Sequence, residues 1–359
     1  MRRGHFETIA PVCPLCRGAA GEWPLVIAEV VREEGQHIIE ALLHCTNAEC
    51  RREYPVIDGI PILVGPIRAW LAANPLQLLG RDDLSPRLES LVGDVLGPGS
   101  AYDTLRQHVG IYAADHYGTE GGGSLQQLLE RMLHAAALVP DVSIPHDSIP
   151  DGPMLDAGCS VGGATFALAA KFERPIVGVD LNFAMLRLAA TLLRDGHARY
   201  PQRRAGIVYD WREIAPPMPH RELVDFWCCD VMALPFAAQS FGLVTSLNVI
   251  DCVASPREAL SELARVTRGG GRAIVSTPYD WSSGATPVEQ WLGGHSQRGP
   301  GGGAPEPLLR ALLSRGHAAA INGVSIVAEE EHIPWRVRLH DRSSVEYDVH
   351  GLVLRKEDA

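Results

Sequence analysis

One stretch constrains the chain more than any other: Met154-Leu155-Asp156-Ala157-Gly158-Cys159-Ser160-Val161-Gly162-Gly163. It reads as a short apolar strand, a glycine turn and the start of a helix that runs to Lys171 and stops before Pro175. A second buried strand, Ile176-Val177-Gly178-Val179, follows and ends on Asp180. Strand, helix and parallel strand make a βαβ unit with a right-handed crossover. The glycines let a ligand approach backbone where a Cβ would clash. The helix start behind them offers unpaired N–H groups. Asp180 stands where a carboxylate can accept from two ribose hydroxyls.

Two kinds of ligand compete for such a turn. A dinucleotide site needs G-x-G-x-x-G, and here the spacing gives Gly158, Ser160 and Gly163, without the middle glycine. Asp156 would also repel a pyrophosphate, whereas it suits an ammonium. The stretch resembles instead the first motif of class I S-adenosylmethionine methyltransferases, D-x-G-x-G-x-G, with Ser160 in place of one glycine. That resemblance implies cofactor contacts from Asp156, Gly158, Cys159, Ser160, Gly162, Asp180 and Leu181.

The chain beyond it continues in the same order. A helix is expected over about 183–194 and an Arg/Pro-rich insertion over about 195–221. The third strand, Val224 to Cys229, runs into Asp230-Val231-Met232-Ala233-Leu234-Pro235-Phe236. This resembles the motif whose acid binds the adenine amine, and so implies Asp230 and Val231. Asp225, at the start of that strand, lies away from the cofactor edge, and its replacement by alanine is expected to leave cofactor binding normal. The fourth strand ends at Leu247-Asn248, and the resemblance adds Asn248 to the cofactor set. A helix from Pro256 to Thr267 should end on the glycine cap Gly269-Gly270-Gly271, before strand five at 272–276.

The C-terminal blocks Pro278-Tyr279-Asp280-Trp281, Thr286 to Gly294 and Glu331 to Arg338 look like the methyltransferase domain of ovothiol biosynthesis enzymes. In that family the domain methylates an imidazole nitrogen of a thiolated histidine. Ligands of open α/β sheets lie beyond the carboxyl ends of the strands. The candidates there are Tyr117, Tyr279 and His332 for catalysis, and Tyr117, Asp280, Trp281 and Trp291 for the acceptor. Trp281 and Trp291 are read as a slot for a flat ring.

Residues 1–66 read as a small separate domain. Cys13-Pro14-Leu15-Cys16 is one knuckle, and Cys45 and Cys50 form a second, looser one. Four thiolates in two knuckles suit a closed, structural Zn²⁺ site. The segment Arg52 to Leu63 resembles the end of the short zinc ribbons that activate methyltransferases. Residues 67–150 read as a helical connector and lid, with helical spacing over 67–79 and 125–138 and a breaker at Gly121-Gly122-Gly123; the methyltransferase resemblance implies a lid whose His116 and Tyr117 could face the site, or else a surface loop. Residues 151–359 read as the methyltransferase domain. The expected fold class is thus α/β: a Rossmann-like seven-stranded sheet with an antiparallel last strand, plus the ribbon.

Composition narrows the partners. The net charge is −11, and residues 1–66 carry six Arg and no Lys against nine Asp and Glu. That opposes a nucleic-acid grip and argues against an RNA methyltransferase guided by the ribbon. A non-catalytic docking protein is the third reading, opposed by the intact acids. No apolar run is long enough for a membrane span, and the first residues lack a signal-peptide core. The expectation is a cytoplasmic enzyme that uses S-adenosylmethionine and structural zinc on a small molecule, with a homo-oligomer left open.

Overall fold

The computed structural model describes residues 1–17, 21–81, 83–118, 124–138 and 149–358. The N-terminal part gives α1 (Arg3–Ile9), β1 (Leu25–Glu34), β2 (His37–Cys45), β3 (Glu53–Ile57) and β4 (Ile60–Leu63). Five helices follow: α2 (Ile67–Ala73), α3 (Pro75–Leu79), α4 (Pro86–Leu96), α5 (Ala101–Tyr117) and α6 (Ser124–Ala135). Pro75 divides the helix expected over 67–79, because its ring suits a first turn and not an interior. The glycines at 121–123 lie outside the described residues.

The α/β part runs β5 (Met154–Ala157), α7 (Gly163–Phe172), β6 (Ile176–Asp180) and α8 (Phe183–Asp195). A hairpin, β7 (Ala198–Ala205) and β8 (Val208–Ile214), occupies the Arg/Pro-rich insertion. Then come β9 (Val224–Cys229), β10 (Phe241–Leu247), α9 (Pro256–Val266), β11 (Thr267–Thr277), α10 (Pro305–Leu313), β12 (Val324–His340) and β13 (Ser343–Lys356). The anticipated glycine cap on α9 is absent: Thr267 ends the helix in an extended conformation, and Gly269 to Gly271 open β11.

The main sheet has the order β1-β2-β3-β4-β9-β6-β5-β10-β11-β13-β12. Its last seven members form the doubly wound sheet, parallel from β9 to β11, with β13 antiparallel to β11. The expected seven strands are therefore part of an 11-stranded sheet. The reason lies in β4. All four of its residues, Ile60 to Leu63, are buried, so the strand needs cover on both faces and a neighbour on both edges. It finds one in β9, parallel, with Ile62 opposite Cys228 and Leu63 opposite Cys229.

The N-terminal part is consequently fused into the core rather than detached. Phe6, Leu43 and Tyr54 share one apolar cluster with Trp227, Phe236 and Leu260. Asp225, expected to lie away from the cofactor, is 1% exposed and accepts from the Arg2 backbone N–H at 3.0 Å. The Arg2 guanidinium in turn donates to the carbonyls of Arg221 and Val224. Among the described residues, no helix is long and apolar enough to cross a membrane.

Candidate active site and cysteine cluster

The turn between β5 and α7 is held from three sides. Gly158 has φ +83°, and a Cβ there would strike Val249. Gly162 has φ +87°, and a Cβ would lie 2.5 Å from Phe226 Cζ. These glycines thus serve close packing against the protein's own side chains more than an open approach for a ligand. Ser160 also sits at positive φ, +52°. Its N–H donates to Asp180 Oδ2 at 2.8 Å, and its hydroxyl donates to Met185 Sδ at 3.1 Å.

The end of α5 closes over the turn. His116 Nδ1 accepts from the Gly163 N–H at 3.0 Å, so the first free N–H of α7 is already taken. Because Nδ1 accepts, Nε2 carries the ring proton. Burial pushes the His116 imidazole down to about 3, which keeps it neutral. The Tyr117 hydroxyl donates to the Val161 carbonyl at 2.6 Å.

The carboxylates sit at successive strand ends. Asp156, 2% exposed, accepts from the Thr165 and Thr245 hydroxyls at 2.6 and 2.9 Å. Burial raises its carboxyl to about 6. Asp180 accepts from Ser160 N–H through one oxygen and from Asn182 N–H, also at 2.8 Å, through the other. Asp230 accepts from the Met232 N–H at 2.9 Å and so sets the turn that follows β9. Burial pushes both carboxyls up. Asn248 has φ +56°, accepts from the Ser276 hydroxyl, and leaves its buried Nδ2 without a partner.

A cavity of about 630 Å³ opens at these strand ends. Of the residues expected at the cofactor, Asp156, Gly158, Cys159, Ser160, Asp180, Leu181, Asp230, Val231 and Asn248 line it, and Gly162 does not. His116 of α5, expected in the lid beside Tyr117, lines it too, as do residues that the sequence reading left out: His108 and Tyr112 of α5, Leu125 of α6, Cys252, and Trp335 of β12. His108, Tyr112 and His116 are four residues apart, the spacing of one helix face. That regularity was the available signal. Trp335 is fixed by donating its ring N–H to the buried Asp115 at 2.9 Å.

The six residues expected for catalysis and acceptor binding fall outside the cavity lining. Tyr117 is spent on Val161, as above. The Tyr279 hydroxyl donates to His350 Nδ1 at 2.6 Å, and His350 Nε2 donates to Glu329 at 2.6 Å. Asp280 is exposed, and its N–H donates to Asp251 Oδ2. Trp281 and Trp291 stack on each other at 6.0 Å and 13°, which leaves no slot for a third ring. His332 lies on β12 with its side chain 80% exposed, and Asp348, 2.7 Å away, holds its pKa up.

The four N-terminal cysteines come together as the spacing anticipated. Their sulfurs lie within 4.8 Å of one another, with Cys13–Cys50 at 4.0 Å and Cys16–Cys45 at 3.9 Å. A tetrahedral site with bonds of about 2.3 Å needs sulfur–sulfur edges of about 3.8 Å. The Asn47 backbone and side-chain N–H groups point at Cys45 and Cys16. Next to this knuckle, Arg17 pairs with Glu262, and Glu262 also accepts from the Leu234 N–H at 3.0 Å. The Val12 N–H donates to the Pro235 carbonyl at 2.8 Å. The cluster is thereby tied to the turn that carries Asp230 to Met232.

Residues 155–275 match the family described as a methyltransferase domain. The matched segment holds Asp156, Gly158, Asp180, Asp230 and Asn248, and covers about a third of the chain. The chain is 34% identical over 96 residues to the ubiquinone/menaquinone biosynthesis C-methyltransferase UbiE of Roseobacter denitrificans, covering 27% of this chain and 37% of that protein. It is 24% identical over 176 residues to ajmaline N-methyltransferase of Rauvolfia serpentina, covering 47% of this chain and 49% of that protein. The chain thus spans less than half the length of these curated relatives. Phosphoethanolamine N-methyltransferase 2 of Haemonchus contortus, solved with S-adenosyl-L-methionine, aligns over 51% of this chain and 35% of its own, at 20% identity and a TM-score of 0.33. The fold assignment rests on the strand order.

Proposed function

We propose that the chain transfers a methyl group from S-adenosylmethionine to a small-molecule acceptor. The observation that carries this is the meeting of the glycine turn, Asp180 and Asp230 around one cavity, inside the segment that matches the methyltransferase domain. Asp180 would accept from the ribose hydroxyls and Asp230 from the adenine amine. Asp156 would hold the ammonium of the methionine end, which a carboxylate stabilises. When bound, S-adenosylmethionine supplies an electrophilic methyl group on its sulfonium.

The rest of the wall, with His108, Tyr112, Leu125, Cys252 and Trp335, is left for the acceptor. Its aromatic character suits a flat, largely apolar molecule, and a heterocyclic nitrogen is the nucleophile we favour. The chain's part is then to align acceptor and cofactor and to keep water out. A neutral ring nitrogen attacks with its lone pair, so no side chain needs to remove a proton first. Tyr117, Tyr279, Asp280, Trp281, Trp291 and His332 have no contact role in this reading. Cys13, Cys16, Cys45 and Cys50 would hold a structural Zn²⁺, closed by four thiolates and remote from chemistry.

Transfer of a labelled methyl group tests the proposal. The protein is incubated with labelled S-adenosylmethionine and, separately, heterocyclic amines, heterocyclic acids and tRNA. Label on a heterocycle is expected. Label on tRNA alone would replace the small-molecule reading with an RNA one.

A further inference from the structure

The molecule has a second, larger cavity of about 850 Å³, bounded by α3, α4, α5, α8 and the β7–β8 hairpin. It is separate from the first in its lining but shares α5 and α8 with it. Leu105 and Val109 face the second cavity, whereas His108 and Tyr112 face the first. Leu84, Val92 and Leu188 make the second one apolar. Into this wall is set Arg106, only 7% exposed.

Arg106 is an unusual group to find there. Its Nε lies 3.5 Å from Glu89 Oε1 and makes no hydrogen bond. The guanidinium lies over two rings, with its carbon 3.9 Å from the centre of Tyr209 and 5.3 Å from that of Tyr102. A buried guanidinium is normally satisfied by several hydrogen bonds, because its desolvation is costly. Glu89 offsets its charge without taking its N–H groups. Elsewhere in the lining Arg81 is already paired with Asp83, and Arg187 with Asp58. An apolar chamber with the Arg106 guanidinium in its wall fits an apolar molecule whose head only accepts hydrogen bonds.

We infer that this cavity binds an amphipathic carboxylate: an aliphatic body along Leu84, Val92 and Leu188, and a carboxylate on Arg106. The planar guanidinium fork matches a carboxylate in a way an ammonium would not. The site is independent of the cofactor reading, and it stands or falls without it.

Fluorescence titration of the full chain with dansyl-aminoundecanoate tests this. One saturable site per chain is expected, displaced by laurate but not by dodecanol of the same length. Arg106→Gln should weaken binding roughly 10- to 100-fold, the worth of a hydrogen-bonded charged head group. Leu105→Trp fills the chamber, leaves Arg106 in place and should abolish binding. It keeps the test decisive if Arg106→Gln fails to melt cooperatively. Absence of a saturable signal in the wild type, displacement by dodecanol as readily as by laurate, or unchanged binding in Leu105→Trp would each overturn the assignment.

Discussion

Replacing Asp180 with alanine separates the role of this carboxylate from that of the fold around it. The wild-type carboxylate takes the Ser160 and Asn182 N–H groups, both at 2.8 Å, before any ligand arrives. Alanine therefore removes the ribose acceptor and orphans two backbone donors. The lost ligand contacts correspond to about 1.5–3 kcal/mol, or roughly 10- to 150-fold in affinity for S-adenosylhomocysteine. The orphaned donors cost a further 1–3 kcal/mol or so of stability, since water reaches them only through the cavity. Asp180→Asn keeps one acceptor oxygen and turns its NH₂ toward a donor, so it should fall between the two. The assay is calorimetric titration with S-adenosylhomocysteine, paired with a thermal melt of each variant. A folded Asp180→Ala protein that binds as tightly as wild type would refute the placement of the cofactor on β6.

Other changes read other parts of the account. Gly162→Ala puts a Cβ against Phe226 at a positive φ, and should lower stability by roughly 2–4 kcal/mol in urea unfolding. Asp225→Ala removes the acceptor for the Arg2 N–H, so the melting temperature should fall while cofactor affinity at the melt-corrected folded fraction stays near wild type. Burial raises the Asp251 carboxyl to about 6, against about 3.9 when unfolded, so its stabilising protonated form is present below about pH 4 and lost as pH rises through about 6. Asp251→Asn should thus stabilise the protein by about 1–3 kcal/mol near pH 8 and hardly at all near pH 4, read by denaturant curves at both. Chelation of the Zn²⁺ proposed for the cysteine cluster should both lower the melting temperature and weaken S-adenosylhomocysteine binding, because Arg17 and Val12 tie that cluster to the turn bearing Asp230. Unchanged affinity in the metal-free protein would break that link.

The parts of the chain governed by local pattern were legible in the sequence. An apolar strand ending in an acid, a glycine turn and an amphipathic helix specify β5-α7-β6 almost residue by residue, and the cysteine spacing located the cluster. What the sequence hid depended on pairing over long distances. Nothing in Ile60 to Leu63 announces that β4 will join β9, more than 160 positions away, although its unbroken apolar run suits a strand buried on both faces. The structural role of Asp225 was hidden because its partner, the Arg2 N–H, comes from the first residues of the chain. Aromatic residues were misplaced for a related reason. Tyr117, Trp281 and Trp291 have the side chains an acceptor site would use, but each is committed to a neighbour that only tertiary structure supplies. His116 was legible as a lid residue, whereas Tyr112 and His108, on the same helix face one and two turns earlier, carried a positional signal that was outweighed by residue type.

The most direct test of the central claim is a crystal structure of the protein with S-adenosylhomocysteine. The account expects the ligand in the 630 Å³ cavity, with its ribose hydroxyls on Asp180, its adenine amine toward Asp230, and Tyr279 and His332 untouched. A ligand seated elsewhere, or one whose ribose leaves Asp180 bound only to Ser160 and Asn182, would contradict it.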